Sequence, residues 1–156
     1  MARAFDVLVI GGGHAGVEAA LVSARLGCST ALLTADRRSV AETPCNPAIG
    51  GLAKGQLVRE IDALGGQQGL AADAAGIHFR MLNTGRGPAV RAPRAQVDKA
   101  AYRRYCLGAV EGQERLELLE GLASAVVVED GALVGVRVAN GEEIACDEAH
   151  GQPLDP

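Results

Sequence analysis

Apolar and polar positions in the first 34 residues follow a strand, helix, strand order. Residues 6–10 form a β-branched apolar run that ends at glycines, which predicts a buried strand of a parallel sheet. Residues 14–27 carry small and apolar side chains at helical spacing, and Gly27 is typical of a helix end. A second apolar run over residues 29–34 predicts another strand. Together these patterns predict a βαβ unit.

The segment from residue 35 to residue 93 is rich in proline and glycine and has a weaker pattern. Leu57, Ile61 and Leu64 recur at helical spacing and predict a helix within residues 52–64. Loops of this length in a compact domain are usually functional or disordered. The glycines, and the buried-type residues among them, favour long ordered loops that surround a ligand.

The last third of the chain returns to regular patterns. Residues 94–110 have a helical pattern. Three short apolar runs follow, separated by turn signals, at residues 116–119, 123–129 and 133–138. These runs predict a small antiparallel meander. The predicted fold class is therefore α/β, with a Rossmann-like βαβ unit, long ordered loops and the meander.

The composition narrows the class of protein. Of the 156 residues, 48% are hydrophobic and 22% are charged, which predicts one globular domain and excludes a disordered tail or a coiled coil. No apolar run is long enough for a transmembrane helix, and the apolar stretch near the N-terminus is too short for a signal peptide. A cytoplasmic protein without a membrane segment is expected. The net charge of −4 argues against a generic nucleic-acid binder.

The four cysteines give no sign of a metal site. They contain no C-x-x-C pair and stand at Cys28, Cys45, Cys106 and Cys146. Because zinc sites and dithiol redox sites usually need such close pairs, neither is predicted, and reduced thiols are expected.

The strongest chemical signal is a glycine loop between the first predicted strand and helix. Gly11, Gly13 and Gly16 satisfy the pattern G-x-G-x-x-G at this junction. In such loops the first glycine permits a tight turn, the second lets the backbone approach a pyrophosphate, and the third lets helix and strand pack closely. The phosphates then lie at the positive end of the helix dipole. The loop therefore predicts dinucleotide binding.

The acidic residue that usually binds the adenosine ribose is missing from the end of the second predicted strand. Thr34 stands at that position, and Asp36 follows two residues later. Either Thr34 contacts the ribose, more weakly than a carboxylate does, or Asp36 turns back to contact it, or Asp36 is a solvated loop residue. Glu18, within the first helix, is a further polar group near the loop.

Several blocks of sequence carry a resemblance to a known family. They read GGGHAGVEAA at 11–20, CNPAIGG at 45–51, KG at 54–55, EIDALGG at 60–66 and GPAVRA at 87–92. These blocks closely resemble the MnmG family, also called GidA. Members of that family are FAD-dependent enzymes that modify C5 of the wobble uridine in certain tRNAs. The block that starts at Cys45 is specific to the family and is not a general flavoprotein feature.

The resemblance implies cofactors, partners and cofactor-binding residues. FAD is the implied cofactor, with NADH and methylenetetrahydrofolate as co-reactants, and tRNA and an MnmE-type GTPase as partners. The full-length family implies a homodimer. The implied FAD contacts are Gly11, Gly12, Gly13, His14, Ala15 and Gly16, together with the backbone of Ala123. Basic residues beside the blocks are candidates for contacts with phosphate or with folate glutamate; they are Lys54, Arg59, Arg86, Arg91 and Arg94.

Cys45 is the candidate catalytic residue. It aligns with the cysteine of the family's Cys-Asn-Pro block, and a thiolate is a suitable nucleophile towards C6 of a pyrimidine. The alternative is a small packing residue, because lone cysteines are often buried hydrophobes. His14 is interpreted as a spacer of the glycine loop and not as a catalytic group.

The resemblance covers residues 6–145. It implies that this chain is the N-terminal part of a longer protein and is truncated relative to the family. Residues 1–145 are expected to be part of an FAD-binding domain, and residues 146–156 a divergent tail without an apolar strand. The predicted function is the FAD-binding part of an enzyme that adds a (carboxymethyl)aminomethyl group to uridine. The alternatives are a stand-alone flavin or nucleotide-binding module and an inactive truncated product.

Overall fold

The computed structural model describes residues 3–151, with side chains for residues 4–146. In chain order the elements are β1 (Arg3–Ile10), α1 (His14–Arg25), β2 (Thr30–Thr34), β3 (Ala48–Gly50), α2 (Lys54–Ala63), α3 (Gln68–Ala75), β4 (Gly76–Leu82), β5 (Ala92–Val97), α4 (Lys99–Glu111), β6 (Leu116–Glu120), β7 (Ala123–Glu129), β8 (Ala132–Val138) and β9 (Glu143–Gly151). Short 3-10 helices cover 37–39 and 88–90. No helix in residues 3–151 is long and apolar enough to cross a membrane.

The chain divides into two compact units. The first unit combines the residues up to 40 with those from 109 onward, and the second unit consists of residues 41–108. In the sequence, the second unit is inserted between the two segments that make up the first unit.

The first unit is built on one six-stranded sheet in the order β6-β2-β1-β9-β8-β7. The strands β6, β2, β1 and β9 pair in parallel, whereas β9, β8 and β7 pair antiparallel. The predicted βαβ unit is confirmed as β1, α1 and β2. In this βαβ unit, α1 buries Val17 and Leu21, and β1 buries Leu8.

Two expectations about the later strands are corrected by this sheet. The run at 116–119 is not part of the meander: it forms β6 and pairs with β2 from Thr30↔Leu116 to Thr34↔Glu120. A strand also forms where none was expected, because β9 extends through residue 151 and pairs in parallel with β1. Backbone pairing with an adjacent strand stabilises β9, although its sequence has no long apolar run.

Burial on the sheet explains the pattern of the first unit. The strands β1 and β2 carry apolar residues at consecutive positions, and all five residues of β2 are buried. This is typical of strands covered on both faces. A core cluster joins Leu8, Leu33, Val136 and Ile144, so the parallel and antiparallel strands share one hydrophobic core.

The second unit has its own three-stranded antiparallel sheet, in the order β3-β5-β4. The segment expected to form long loops instead contains β3, α2, α3 and β4, of which only α2 was predicted. The remaining loops cover 41–47 and 83–91. The helix α3 is made mostly of alanine and has a weak amphipathic pattern, which explains why its sequence gave no clear signal.

The predicted helix at 94–110 begins later than expected. Residues 94–97 belong to β5, which pairs with both β3 and β4. Asp98 marks the boundary, because its side chain accepts a hydrogen bond from the backbone N–H of Ala101 at 2.7 Å. From there α4 buries Tyr102, Cys106 and Val110 at intervals of one helical turn.

Candidate nucleotide-binding site

The glycine loop lies at the carboxyl edge of the parallel strands. Ile10, the last residue of β1, pairs with Leu33 of β2 and with Gly151 of β9. Thr34 at the end of β2 pairs with Glu120 at the end of β6. Four parallel strands therefore end together where residues 11–16 begin. In open α/β sheets, ligands bind outside this carboxyl edge.

Gly11 and Gly16 shape the turn between β1 and α1. Gly11 has φ of +103°, a conformation that side chains rarely adopt, and its N–H donates to the Leu33 carbonyl oxygen at 2.8 Å. A Cβ at Gly16 would overlap the carbonyl oxygen of Gly11. The first turn of α1 therefore packs directly on the loop backbone, and only glycine permits this approach.

Gly13 leaves the start of α1 open. It is the N-cap residue, and no side chain caps the helix there. A Cβ at Gly13 would meet no atom of the described residues within 4 Å, so a ligand can approach the backbone at this point. No acidic residue lies in the first turn of α1. Because the first N–H groups of a helix lack intrahelical acceptors, the loop presents donors and a positive dipole end to an anion.

Gly12 and Thr34 pack the other side of the loop against β2. A Cβ at Gly12 would lie 3.0 Å from the Thr34 hydroxyl oxygen and 3.1 Å from Val40 Cγ2. Thr34 is buried, and its hydroxyl donates to the Asp36 carbonyl oxygen at 3.3 Å. This hydroxyl therefore holds the turn after β2.

Asp36 is engaged within its own turn. Its carboxylate accepts a hydrogen bond from the Arg38 backbone N–H at 2.7 Å and ion-pairs with the Arg38 guanidinium at 2.8 Å. The hydrogen bond with Asp36 raises the pKa of Arg38. Neither ribose candidate is thus a free polar group: Asp36 caps the short helix at 37–39, and Thr34 supports it.

His14 is the first residue of α1 and is half-buried. Burial lowers the pKa of its imidazole below the ordinary value of 6.5, and the nearby Glu18 carboxylate opposes that shift. Near neutral pH the side chain is therefore uncharged, so the positive character of this helix end comes from its backbone.

Ala123 follows shortly after the end of β6. The segment after β6 is tied to β2, because the Gly121 N–H donates to the Thr34 carbonyl oxygen at 2.8 Å. Ala123 then starts β7, opposite Val138, and its side chain is part of the core. Ala123 therefore lies two residues beyond a backbone contact with the last residue of β2, and it shares a core cluster with Leu33.

Cys45 belongs to the second unit. It is an exposed free thiol in the loop at 41–47. The end of this loop is held by the hydrogen bond from the Val97 N–H to the Pro47 carbonyl oxygen at 2.8 Å. An exposed side chain does not support the alternative that Cys45 is a buried packing residue.

Gln56 is a positioning residue that the sequence did not single out. Its side-chain amide donates to the Ala89 carbonyl oxygen at 3.2 Å and lies 3.4 Å from that of Arg91. It therefore fixes the loop at 83–91 to α2. Nothing in the helical pattern distinguishes Gln56 from a solvent-facing residue. Two buried side-chain oxygens of this unit, Gln56 Oε1 and Thr43 Oγ1, have no hydrogen-bond partner in the described part of the chain.

Known proteins match this chain over most of its length. The model of the family described as Glucose inhibited division protein A matches residues 6–149, four residues further than the resemblance noted in the sequence. A relative from Heliobacterium modesticaldum, named tRNA uridine 5-carboxymethylaminomethyl modification enzyme MnmG, is 56% identical over 141 residues. A relative of the same name from Geobacter metallireducens is 57% identical over 134 residues.

The coverage of these matches is unequal. The first relative aligns with 90% of this chain and the second with 86%, but each alignment covers only 22% of the relative. A solved structure of Aquifex aeolicus GidA is 48% identical, with a TM-score of 0.92. That match covers 96% of this chain and 25% of the Aquifex chain. Because the family match runs from β1 through the glycine loop and the second unit into β9, the chain belongs to the glucose inhibited division protein A (GidA) family.

Proposed function

We propose that this chain is the N-terminal FAD-binding part of an enzyme that modifies tRNA. The modification is the addition of a (carboxymethyl)aminomethyl group at C5 of the wobble uridine. The family is FAD-dependent, and the curated relatives are named as tRNA uridine 5-carboxymethylaminomethyl modification enzymes. In this proposal the FAD-binding part comprises residues 1–145, and the pairing of β9 with β1 supports its extension to residue 151.

The observation that carries the proposal is the open backbone at Gly13. No described protein atom lies within 4 Å of a Cβ built at Gly13, and the helix that starts there has no side-chain cap, at the carboxyl edge of a parallel sheet. A pyrophosphate fits this position because it is anionic and needs backbone N–H donors without a side chain in the way. Residues 11–16 would hold the pyrophosphate, and the backbone at Ala123 would contact another part of FAD.

The residues present provide binding and orientation. When bound, FAD supplies the redox chemistry of the reaction. Gly16 lets the helix pack directly on the loop. Gly11 orients the loop through the hydrogen bond from its N–H to the Leu33 carbonyl oxygen. His14 is uncharged near neutral pH, so it adds no cation to the phosphate site. Cys45 is the proposed nucleophile towards the pyrimidine, and its exposure supports access to a large substrate.

Further partners belong to the proposal through the family. They are NADH and methylenetetrahydrofolate as co-reactants, an MnmE-type GTPase, and a second copy of the full-length protein. A cytoplasmic location is proposed with them, since tRNA is modified there.

Replacement of Gly13 by valine tests the cofactor site. The branched side chain would occupy the space where the pyrophosphate approaches the backbone, and its Cβ would meet no described protein atom within 4 Å. We expect the dissociation constant for FAD, measured by flavin fluorescence titration, to rise by at least about tenfold, with unfolding temperature little changed.

Gly108→Val is the matched control. Gly108 lies in α4, and a Cβ there also meets no atom within 4 Å, so the same substitution is made without touching the glycine loop. The control should bind FAD like the parent chain. Equal affinity of Gly13→Val and the parent would contradict the proposed site.

A further inference from the structure

The strand β4 is an open edge of the sheet in the second unit. This sheet has the order β3-β5-β4, so within residues 3–151 β4 pairs with β5 alone. Residues 77–81 of β4 are all exposed. An edge strand presents unpaired N–H and C=O groups, with which another extended segment can form hydrogen bonds. The strand β4 therefore offers a backbone surface as well as its side chains.

Pro93 determines which backbone groups of β4 point away from the sheet. In an antiparallel pair, positions that exchange hydrogen bonds with the partner strand alternate with positions that do not. Met81 lies opposite Pro93, which has no N–H, so this pair is of the second kind. The Pro93 carbonyl oxygen accepts a hydrogen bond from the Gly51 N–H instead, at 2.8 Å. By alternation the pair of Phe79 and Ala95 is also of this kind. The backbone groups of Phe79 and Met81 therefore point to the open edge.

The other sheet edges in the described part of the chain are better protected than β4. The strand β3 has only three residues, and β6 carries Glu117 and Glu120. The register of β7 shifts at two places. Short strands, charged side chains and bulges all keep an edge from pairing. In contrast, β4 has seven residues, a register shift only near its start, and exposed apolar side chains at Phe79 and Met81. It is therefore the edge best suited to accept a strand.

The two faces of β4 differ in chemistry. Because side chains alternate along a strand, Phe79 and Met81 lie on one face, and His78 and Arg80 lie on the other. Arg94 lies opposite Arg80 in the register and adds a second guanidinium to that face. Neither arginine forms an ion pair with a described residue, and positions 74–97 contain no acidic residue. An added strand would therefore meet apolar side chains on one face and basic side chains on the other.

A second copy of β4 is a poor occupant of this edge. The strand contains no acidic residue, so no register of β4 with its own copy places a carboxylate opposite Arg80. Antiparallel pairing centred on Arg80 would place two guanidinium groups opposite each other, and like charges in that arrangement are destabilising. A segment with an acidic residue opposite Arg80 and apolar residues opposite Phe79 and Met81 is complementary on both faces.

We propose that the open edge of β4 binds an extended segment of a partner protein in which apolar and acidic residues alternate. The added strand exchanges backbone hydrogen bonds with Phe79 and Met81, covers their side chains, and places a carboxylate beside Arg80. This surface lies wholly within the second unit, and the inference does not depend on FAD binding.

The probe is the peptide TVEVEVT, acetylated and amidated at its ends. When a glutamate lies opposite Arg80, valines lie opposite Phe79 and Met81. Two matched peptides each change one feature: TVKVKVT reverses the charge, and TVEVEVT with N-methylated valines lacks the backbone donors. Binding to the whole chain is followed by NMR, through chemical shifts and amide hydrogen exchange.

In the free chain, the amides of Phe79 and Met81 should exchange faster than that of Arg80, which faces β5. Saturating TVEVEVT should slow exchange at Phe79 and Met81. The charge-reversed peptide should bind at least about tenfold more weakly, because attraction at Arg80 becomes repulsion.

Two substitutions at one position separate the backbone from the side chain. Met81→Pro removes an N–H that points to the open edge without removing a hydrogen bond to β5, and edge strands tolerate proline. Met81→Val loses the same methionine side chain but keeps the N–H. We expect Met81→Pro to bind TVEVEVT about tenfold more weakly than Met81→Val. The N-methylated peptide makes the same comparison on the parent chain, independently of how the proline variant folds.

Arg80→Gln tests the charge. It should remove most of the preference for TVEVEVT over TVKVKVT, while the exchange of Phe79 and Met81 still slows at saturation. The Gly13→Val variant should bind the peptide like the parent, so this surface and the proposed FAD site can fail separately.

Four results would overturn the proposal. Two concern the peptides: equal affinity of the N-methylated peptide, and absence of saturable shifts at millimolar concentrations of TVEVEVT. The third is slow exchange at Phe79 and Met81 that increases with protein concentration alone, which would make a second copy the occupant. The fourth is protection of β4 without a peptide when residues 6–149 replace the matching part of the Heliobacterium relative. The longer protein would then cover this edge itself.

Discussion

At the residue scale, the positions of the glycine loop differ in what a side chain would do there. A Cβ at Gly16 meets backbone, a Cβ at Gly12 meets Thr34, and a Cβ at Gly13 meets nothing. Gly16 and Gly12 are therefore needed by the fold itself. At Gly13 the side of the backbone is free of described protein atoms within 4 Å; Gly11 is equally open, but its φ of +103° already favours glycine. The loop thus combines packing and binding within six residues.

His14 gives this loop a pH-dependent stability. Because burial lowers its pKa, the native chain takes up a proton less readily than the unfolded chain. The free energy of unfolding should therefore be undiminished above about pH 6.5 and should fall as the pH drops from 6.5 towards the lower native pKa. Urea unfolding over this range should show the fall in the parent and a smaller one in His14→Gln.

Comparing how the free energy of unfolding changes with pH in the two proteins separates the contribution of His14 from that of the carboxylates, which are present in both. Identical slopes in the parent and in His14→Gln would mean that burial of the imidazole does not oppose its protonation.

The residues of this site differ in how well the sequence predicted them. Gly11, Gly13 and Gly16 were predictable because their roles depend on a local turn between a strand and a helix. Gln56 was not, because its role depends on carbonyl groups more than 30 positions away in the chain. Arg80 and Arg94 were visible as basic residues, but their opposition depends on strand register.

At the scale of elements, the boundary between β5 and α4 rests on one side chain. Asp98 accepts a hydrogen bond from the Ala101 N–H, which has no intrahelical partner otherwise. Asp98→Ala should lower the free energy of unfolding by about 1 kcal/mol. Asp98→Asn should retain most of it, since asparagine is also a good N-cap residue. Chemical denaturation of the three proteins measures both differences, and an Asp98→Ala variant as stable as the parent would rule out the cap.

Elements with local patterns were predicted better than those that depend on distant partners. The strands β1 and β2 were predicted from consecutive apolar residues. In contrast, β5 has a short, proline-containing sequence and becomes a strand because β3 and β4 lie on its two sides. β9 likewise depends on its pairing with β1 and β8. Its own polar sequence gave the opposite expectation.

At the scale of the whole molecule, the role of Cys45 requires the longer protein that the relatives represent. A chimera in which residues 6–149 replace the matching part of the Heliobacterium relative provides it. Cys45→Ser in this chimera should reduce uridine modification by orders of magnitude, because a serine hydroxyl is far less readily ionised than a thiol. Mass spectrometry of tRNA nucleosides measures the product, and flavin absorbance measures bound cofactor.

Cys28→Ser is the control for this experiment, since Cys28 is a half-buried thiol of the first unit and has no proposed chemical role. It should leave modification near the parent level. If Cys45→Ser also left modification unchanged, with FAD bound in both, the thiol would not be the nucleophile.

The position of β1 in the sheet has a consequence for biosynthesis. β1 leaves the ribosome before the other described strands, yet it pairs with β9 from Arg3↔Ile144 onward. The sheet of the first unit therefore closes only after nearly the whole described chain has been made, whereas the 68 residues from 41 to 108 form a continuous unit that emerges earlier. Late pairing between distant strands slows folding and leaves a strand edge exposed in the meantime. During synthesis, the side of β1 that pairs with β9 is thus an exposed strand edge until β9 has been made.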